Sequence, residues 1–177
     1  MRTLFPLACA VAVCAVLLVG VAGASVRLLG TEPTELEPAP LFTLPNLDGE
    51  EVSLADYLGR VIILDFWASW CPPCLATLPE LDALQRTYAE RGAVLLLVSL
   101  DKCAEDARDY LVDNGYPTNN VLWGSLEEAR AVKELLGVEP VTHTLLIDRA
   151  GYIRFSGHPK RVTSELIEPL LDEPTDN

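Results

Sequence analysis

The sequence predicts an α/β fold in which a central mixed β-sheet is flanked by helices. Before it come an N-terminal hairpin and, at the chain start, an N-terminal membrane segment. Three observations carry this. Apolar runs rich in β-branched residues, typical of strands buried on both faces, alternate with stretches whose leucines recur at helical spacing. The last two strands sit close together across a tight turn, which makes the sheet mixed rather than purely parallel. Finally, no residue from Thr3 to Val26 is charged. The chain has 177 residues, half of them hydrophobic, enough for one globular domain plus a short extra segment.

Residues 1–26 read as a signal peptide or a membrane anchor. Met1 and Arg2 precede an Ala/Val/Leu-rich run long enough to span a bilayer, which takes ~20 apolar residues. Ala22-Gly23-Ala24 also suits a signal-type cleavage before Ser25. Both readings place the rest of the chain on the non-cytoplasmic side. A buried helix of a soluble core is disfavoured, because nothing polar supplies a solvent face. Cys9 and Cys14 within this segment read as small apolar residues in lipid.

Residues 27–40 form a linker, since the Pro/Glu composition of Gly30 to Pro40 holds a chain extended without packing a core. The folded domain is expected over 41–177. Leu44 and Val52 flank the turn Asp48-Gly49 in a hairpin, and Ser53 caps a helical turn through Leu58. Val61 to Phe66 is a buried strand. Pro73 to Arg91 is a helix with Leu75, Leu78, Leu81, Leu84 and Tyr88 at helical spacing. Ala93 to Leu100 is a second buried strand, and Ala104 to Asn114 a helix ended by Gly115. Pro117 begins a loop. Ser125 caps a helix through Leu135, ended by Gly137. Thr144 to Ile147 and Tyr152 to Phe155 are strands, and Thr163 to Leu171 is the final helix.

The net charge of −13 argues against nucleic acid as a partner, because phosphate binding needs basic patches. The chemistry resides in Trp70-Cys71-Pro72-Pro73-Cys74, where a buried strand hands over to a helix. Cys71 at the helix start faces unpaired backbone N–H groups and the positive end of the helix dipole. Both lower a thiol pKa from its usual ~8.5 and favour the nucleophilic thiolate. Cys74 lies one helical turn further on, placed to resolve a mixed disulfide. Proline suits the first helical turn, where its missing N–H costs nothing. Zinc sites share the Cys-x-x-Cys spacing, but a structural zinc needs two more ligands. Only Cys103, His143 and His158 remain beyond the leader, and they form no second close pair. No metal and no cofactor are expected.

The stretch Val61 to Cys74 resembles the active-site segment of the membrane-tethered thioredoxin-like proteins of bacterial envelopes, the TlpA, ResA and DsbE/CcmG group. The resemblance extends to Leu47-Asp48-Gly49, Val52-Ser53-Leu54, Leu145-Leu146-Ile147-Asp148 and Gly151-Tyr152-Ile153, and covers nearly all of 41–171. It implies a thioredoxin-like fold and thiol–disulfide exchange with protein disulfides on the periplasmic side of the cell envelope, by a protein either inner-membrane anchored or secreted. The direction implied is reductive, as in cytochrome c maturation, with electrons from a membrane thiol–disulfide donor. Asp65, six residues before Cys71, matches the buried aspartate of thioredoxins and would take the proton of Cys74. Its plain alternative is a strand-end polar residue satisfied by backbone N–H groups. Trp70, Pro72 and Pro73 would form the client-docking rim, while Trp67 could equally be core.

The sequence departs from the group in three places. Counting back from Asp148, the position of the group's cis-proline is Thr142, with Pro140 two residues early; a trans Val141–Thr142 bond is expected. Clients would pair with the backbone of Val141. His143 next to it lies either near the disulfide or on the opposite sheet face. Thr77 stands where many relatives carry glutamate, and Pro79 is expected to kink the helix. Cys103 is an odd thiol, either a third redox cysteine, an intermolecular partner or a partly buried free thiol. An oxidase or isomerase would use the same two sulfurs. A peroxiredoxin-like peroxidase would need its cysteine in a Pro/Thr-rich loop, and a client-binding module would keep a structural disulfide.

Overall fold

The computed structural model describes residues 36–174. The predicted leader over 1–26, with Cys9 and Cys14, lies outside the described residues, as does most of the predicted linker. Among the described residues, no helix is long and apolar enough to cross a membrane.

In chain order the strands are β1 (Glu37–Pro38), β2 (Thr43–Pro45), β3 (Glu51–Ser53), β4 (Val61–Trp67), β5 (Ala93–Ser99), β6 (Val121–Trp123), β7 (His143–Ile147) and β8 (Tyr152–Gly157). The helices are α1 (Pro72–Tyr88), α2 (Ala104–Asp113), α3 (Leu126–Leu135) and α4 (Ser164–Asp172). Six strands form one sheet in the order β1-β8-β7-β4-β5-β6, and β2 and β3 form a separate hairpin. The two strands read as continuous apolar runs, β4 and β5, lie side by side and parallel at the centre. All seven residues of each are buried, as expected of strands covered on both faces. The parallel β6 extends the sheet beyond β5, while β7 runs antiparallel to β4 and β8 antiparallel to β7. The sheet is therefore mixed.

Local chemistry accounts for the element ends. Asn46 Oδ1 accepts from the N–H groups of Asp48 and Glu50, closing the β2–β3 turn, and Gly49 takes the positive φ of 84° that this turn needs. Ser53 and Asp56 form a reciprocal capping box on a 3₁₀ turn over Leu54–Tyr57, and Ser125 with Glu128 does the same for α3. Helix α1 runs through Pro79 as one element, and a 3₁₀ turn over Ala89–Arg91 follows it.

Two short strands were not read from the sequence. Glu37–Pro38 fell within the predicted linker, yet it pairs antiparallel with Tyr152 and Ile153 of β8. The N–H of Ala39 also donates to the Gly151 carbonyl, and Ala39 is buried. The folded unit thus begins at Leu36 rather than Leu41. Proline is tolerated there because β1 is an edge strand. The second is β6, inside the predicted loop after Pro117. It pairs only through Val121, Leu122 and Trp123.

Candidate functional site

The topology gathers the site at one end of the sheet. The C-terminal ends of the parallel strands β4 and β5 meet the N-terminal start of antiparallel β7 there, with Phe66 opposite His143. Three loops leave or enter this edge. They carry Ser69 to Cys71, Leu100 to Cys103, and Val141 with Thr142.

Cys71 is the N-cap of α1 and Pro72 is its first residue. Cys71 and Cys74 are joined by a disulfide, with their Cα atoms 5.3 Å apart. The Cys74 N–H donates to Cys71 Sγ at 3.4 Å, so the free amide of the first helical turn points at the sulfur expected to be the nucleophile. Cys71 is 6% exposed and Cys74 2%, which leaves Cys71 the more accessible of the two. Around them Trp70, Pro72 and Pro73 are exposed, forming an apolar rim. Trp67, by contrast, is fully buried and packs against Tyr110 at 5.8 Å between ring centroids.

Asp65 lies on β4 directly opposite Thr144 of β7, and the Thr144 hydroxyl donates to Asp65 Oδ1 at 2.6 Å. The Asp65 carboxyl is buried, and no cationic side chain among the described residues pairs with it. Burial pushes its pKa up to about 7, and the Thr144 hydrogen bond only partly offsets this. The hydroxyl of Thr142 sits 3.3 Å from Cys74 Sγ and 3.6 Å from Cys71 Sγ. The Val141–Thr142 bond is trans, since the described residues contain no cis peptide. His143 is half-buried and turned toward β8, with Nε2 2.8 Å from Ser156 Oγ. Burial, helped by Lys133 and His158, lowers its pKa. Thr77 is buried, and its hydroxyl donates to the Cys74 carbonyl at 2.9 Å. Cys103 is exposed and free rather than partly buried; it caps α2 without a side-chain hydrogen bond.

A further residue at this edge escaped the sequence reading. Asp101 is fully buried. Its carboxylate accepts from the Ser69 N–H, from the Ser69 hydroxyl at 2.8 Å and from the Ser99 hydroxyl at 2.8 Å. Its carbonyl accepts from the Trp123 indole at 3.0 Å. Hydrogen bonds to a charged acceptor are the stronger kind, so Asp101 ties the turn leading into Trp70 and Cys71 to the end of β5. The available signal was a polar pair, Ser99 and Asp101, spaced to share one side at the end of an otherwise apolar strand.

Residues 36–156 match the model of a family described as the AhpC/TSA family. The chain is 30% identical over 140 residues to the thioredoxin-like protein YneN of Bacillus subtilis, covering 78% of this chain and 79% of that one. It is 30% identical over 116 residues to the thiol-disulfide oxidoreductase ResA of Geobacillus thermodenitrificans, covering 66% of this chain. That match spans 64% of the relative's length. Among solved structures, a thiol:disulfide interchange protein DsbE of Chlorobium tepidum superposes with a TM-score of 0.67 at 31% identity. That similarity covers 77% of this chain and 96% of the other.

Proposed function

The chain belongs to the AhpC/TSA family and to its thioredoxin-like thiol–disulfide oxidoreductases, and we propose that it reduces protein disulfides through Cys71 and Cys74. The observation that carries this reading is Cys71 Sγ at the start of α1, receiving the Cys74 N–H beside an exposed apolar rim. The Cys71 thiolate attacks one sulfur of a client disulfide and the other client sulfur leaves as thiolate. Cys74 then attacks Cys71 Sγ, releasing the reduced client and closing the Cys71–Cys74 disulfide. Two electrons pass to the client, and a dithiol donor returns them.

Asp65 is the carboxyl suited to take the Cys74 proton, because a group with a pKa about 7 exchanges protons readily near neutrality. Trp70, Pro72 and Pro73 give the client an apolar landing, and the Val141 backbone offers it a strand-like partner. The uncharged run over residues 3–26 supports action at the outer face of a membrane, anchored or released. The donor is then a membrane thiol–disulfide protein, and the clients are protein disulfides on that face, of the kind met in cytochrome c maturation.

Trapping tests the assignment. Cys74→Ser should accumulate clients as mixed disulfides on Cys71, whereas Cys71→Ser should hold none. Equal trapping by both variants would contradict the roles given to the two sulfurs.

A further inference from the structure

A single hydroxyl lies against both sulfurs of the redox pair. Thr142 Oγ1 is 3.3 Å from Cys74 Sγ and 3.6 Å from Cys71 Sγ. A disulfide sulfur carries no proton, so the hydroxyl is the donor in this state. The two sulfurs are otherwise unequally provided for. Cys71 has the Cys74 N–H and the N-terminus of α1, whereas no other side chain among the described residues donates to Cys74 Sγ. The nearby Thr77 hydroxyl is committed to backbone carbonyls.

We propose that Thr142 is a catalytic residue of the exchange reaction, donating a hydrogen bond to Cys74 Sγ as negative charge develops on it. The proposal rests on the exchange reading and deepens it. When a donor thiolate attacks Cys71 Sγ, a new S–S bond forms there. The Cys71–Cys74 bond breaks with its electron pair leaving on Cys74, the atom the hydroxyl already faces. The donor's second thiolate then attacks its own mixed-disulfide sulfur and frees Cys71, leaving the donor oxidised. Cys74 recovers a proton once open, so the hydroxyl acts mainly on the rate of opening. An interaction that strengthens only as charge develops lowers the barrier without tightening the ground state. Cys74 is 2% exposed and little water reaches it, so a fixed donor counts for more than it would in solvent.

The experiment compares wild type with Thr142→Val, which keeps the shape and removes the donor, and Thr142→Ser, which keeps the donor. Opening of the oxidised protein by dithiothreitol is followed in a single turnover. Alkylation of reduced Cys71 by iodoacetamide is measured in parallel. Valine should slow opening about tenfold, the loss of roughly one charge-assisted hydrogen bond, and serine should restore most of the rate. Cys71 alkylation should change less than about twofold, since its helix N-terminus is untouched. Wild-type opening rates in the valine variant would overturn the proposal. So would equal slowing of opening and alkylation, or a serine variant as slow as valine. Failure of the wild-type protein to open and reduce any protein disulfide would instead overturn the exchange reading itself.

Discussion

Asp65 carries an uncompensated carboxyl at the centre of the sheet, and its titration couples the site to stability. Its pKa is about 7 in the folded chain against 3.8 for the unperturbed group. The folded state therefore holds the proton more tightly than the unfolded one. Stability from this group is full below about pH 4 and is lost as pH rises to about 7. Asp65→Asn, which stays neutral and still accepts from Thr144, should match wild type near pH 4. Near pH 8 it should be more stable by up to about 4 kcal/mol. Urea unfolding at both values measures this, and a difference independent of pH would contradict it. On the proton-accepting role proposed for Asp65, the same variant should also slow resolution of the mixed disulfide. Part of this site was legible in the sequence. Cys71, Cys74 and Asp65 stand at fixed spacings along one strand–helix junction, and those spacings survive folding. Thr144, which donates to Asp65, lies 79 residues away and became visible only through the β4–β7 register.

At the scale of elements, the turn into α1 is tied down by Asp101. Asp101→Ala would leave the hydroxyls of Ser69 and Ser99 without their acceptor in a largely buried place. It should cost about 2–4 kcal/mol by chemical denaturation. Ser69→Ala removes one donor and leaves the Ser69 N–H in place, so about 1 kcal/mol is expected. A cost for Asp101→Ala no larger than that for Ser69→Ala would contradict the network. The long elements were legible because β4 and β5 carry seven consecutive buried residues and α1 repeats leucine at helical spacing. β1 and β6 were not, having two and three residues. No periodicity can be read from so few positions, and Glu37–Pro38 has the composition of a linker. Their strand character comes from the neighbour they pair with.

For the whole molecule, β1 covers the outer edge of β8 and so closes one side of the six-stranded sheet. A chain cut to begin at Leu41 loses this pairing and the buried Ala39. It should be about 1–3 kcal/mol less stable than one beginning at Leu36, and more prone to associate through the bared strand. Thermal melts of the two truncations at several concentrations test it, and identical melts would show that β1 adds nothing. On the opposite side of β8, pairing with β7 places Val141 and Thr142 at the sheet edge shared with Cys71 and Asp101. The mixed order of strands is thus what assembles a site from segments far apart in the chain. In the function proposed for it, this site gives electrons from Cys71 and Cys74 to protein disulfides. The most direct measurement is the reduction potential of that pair in the full chain, equilibrated in a dithiothreitol or glutathione buffer. A value near or below about −270 mV, in the range of thioredoxin, is predicted for a reductant. A value near about −120 mV, as in strong disulfide oxidants, would contradict the direction of electron flow proposed for this protein.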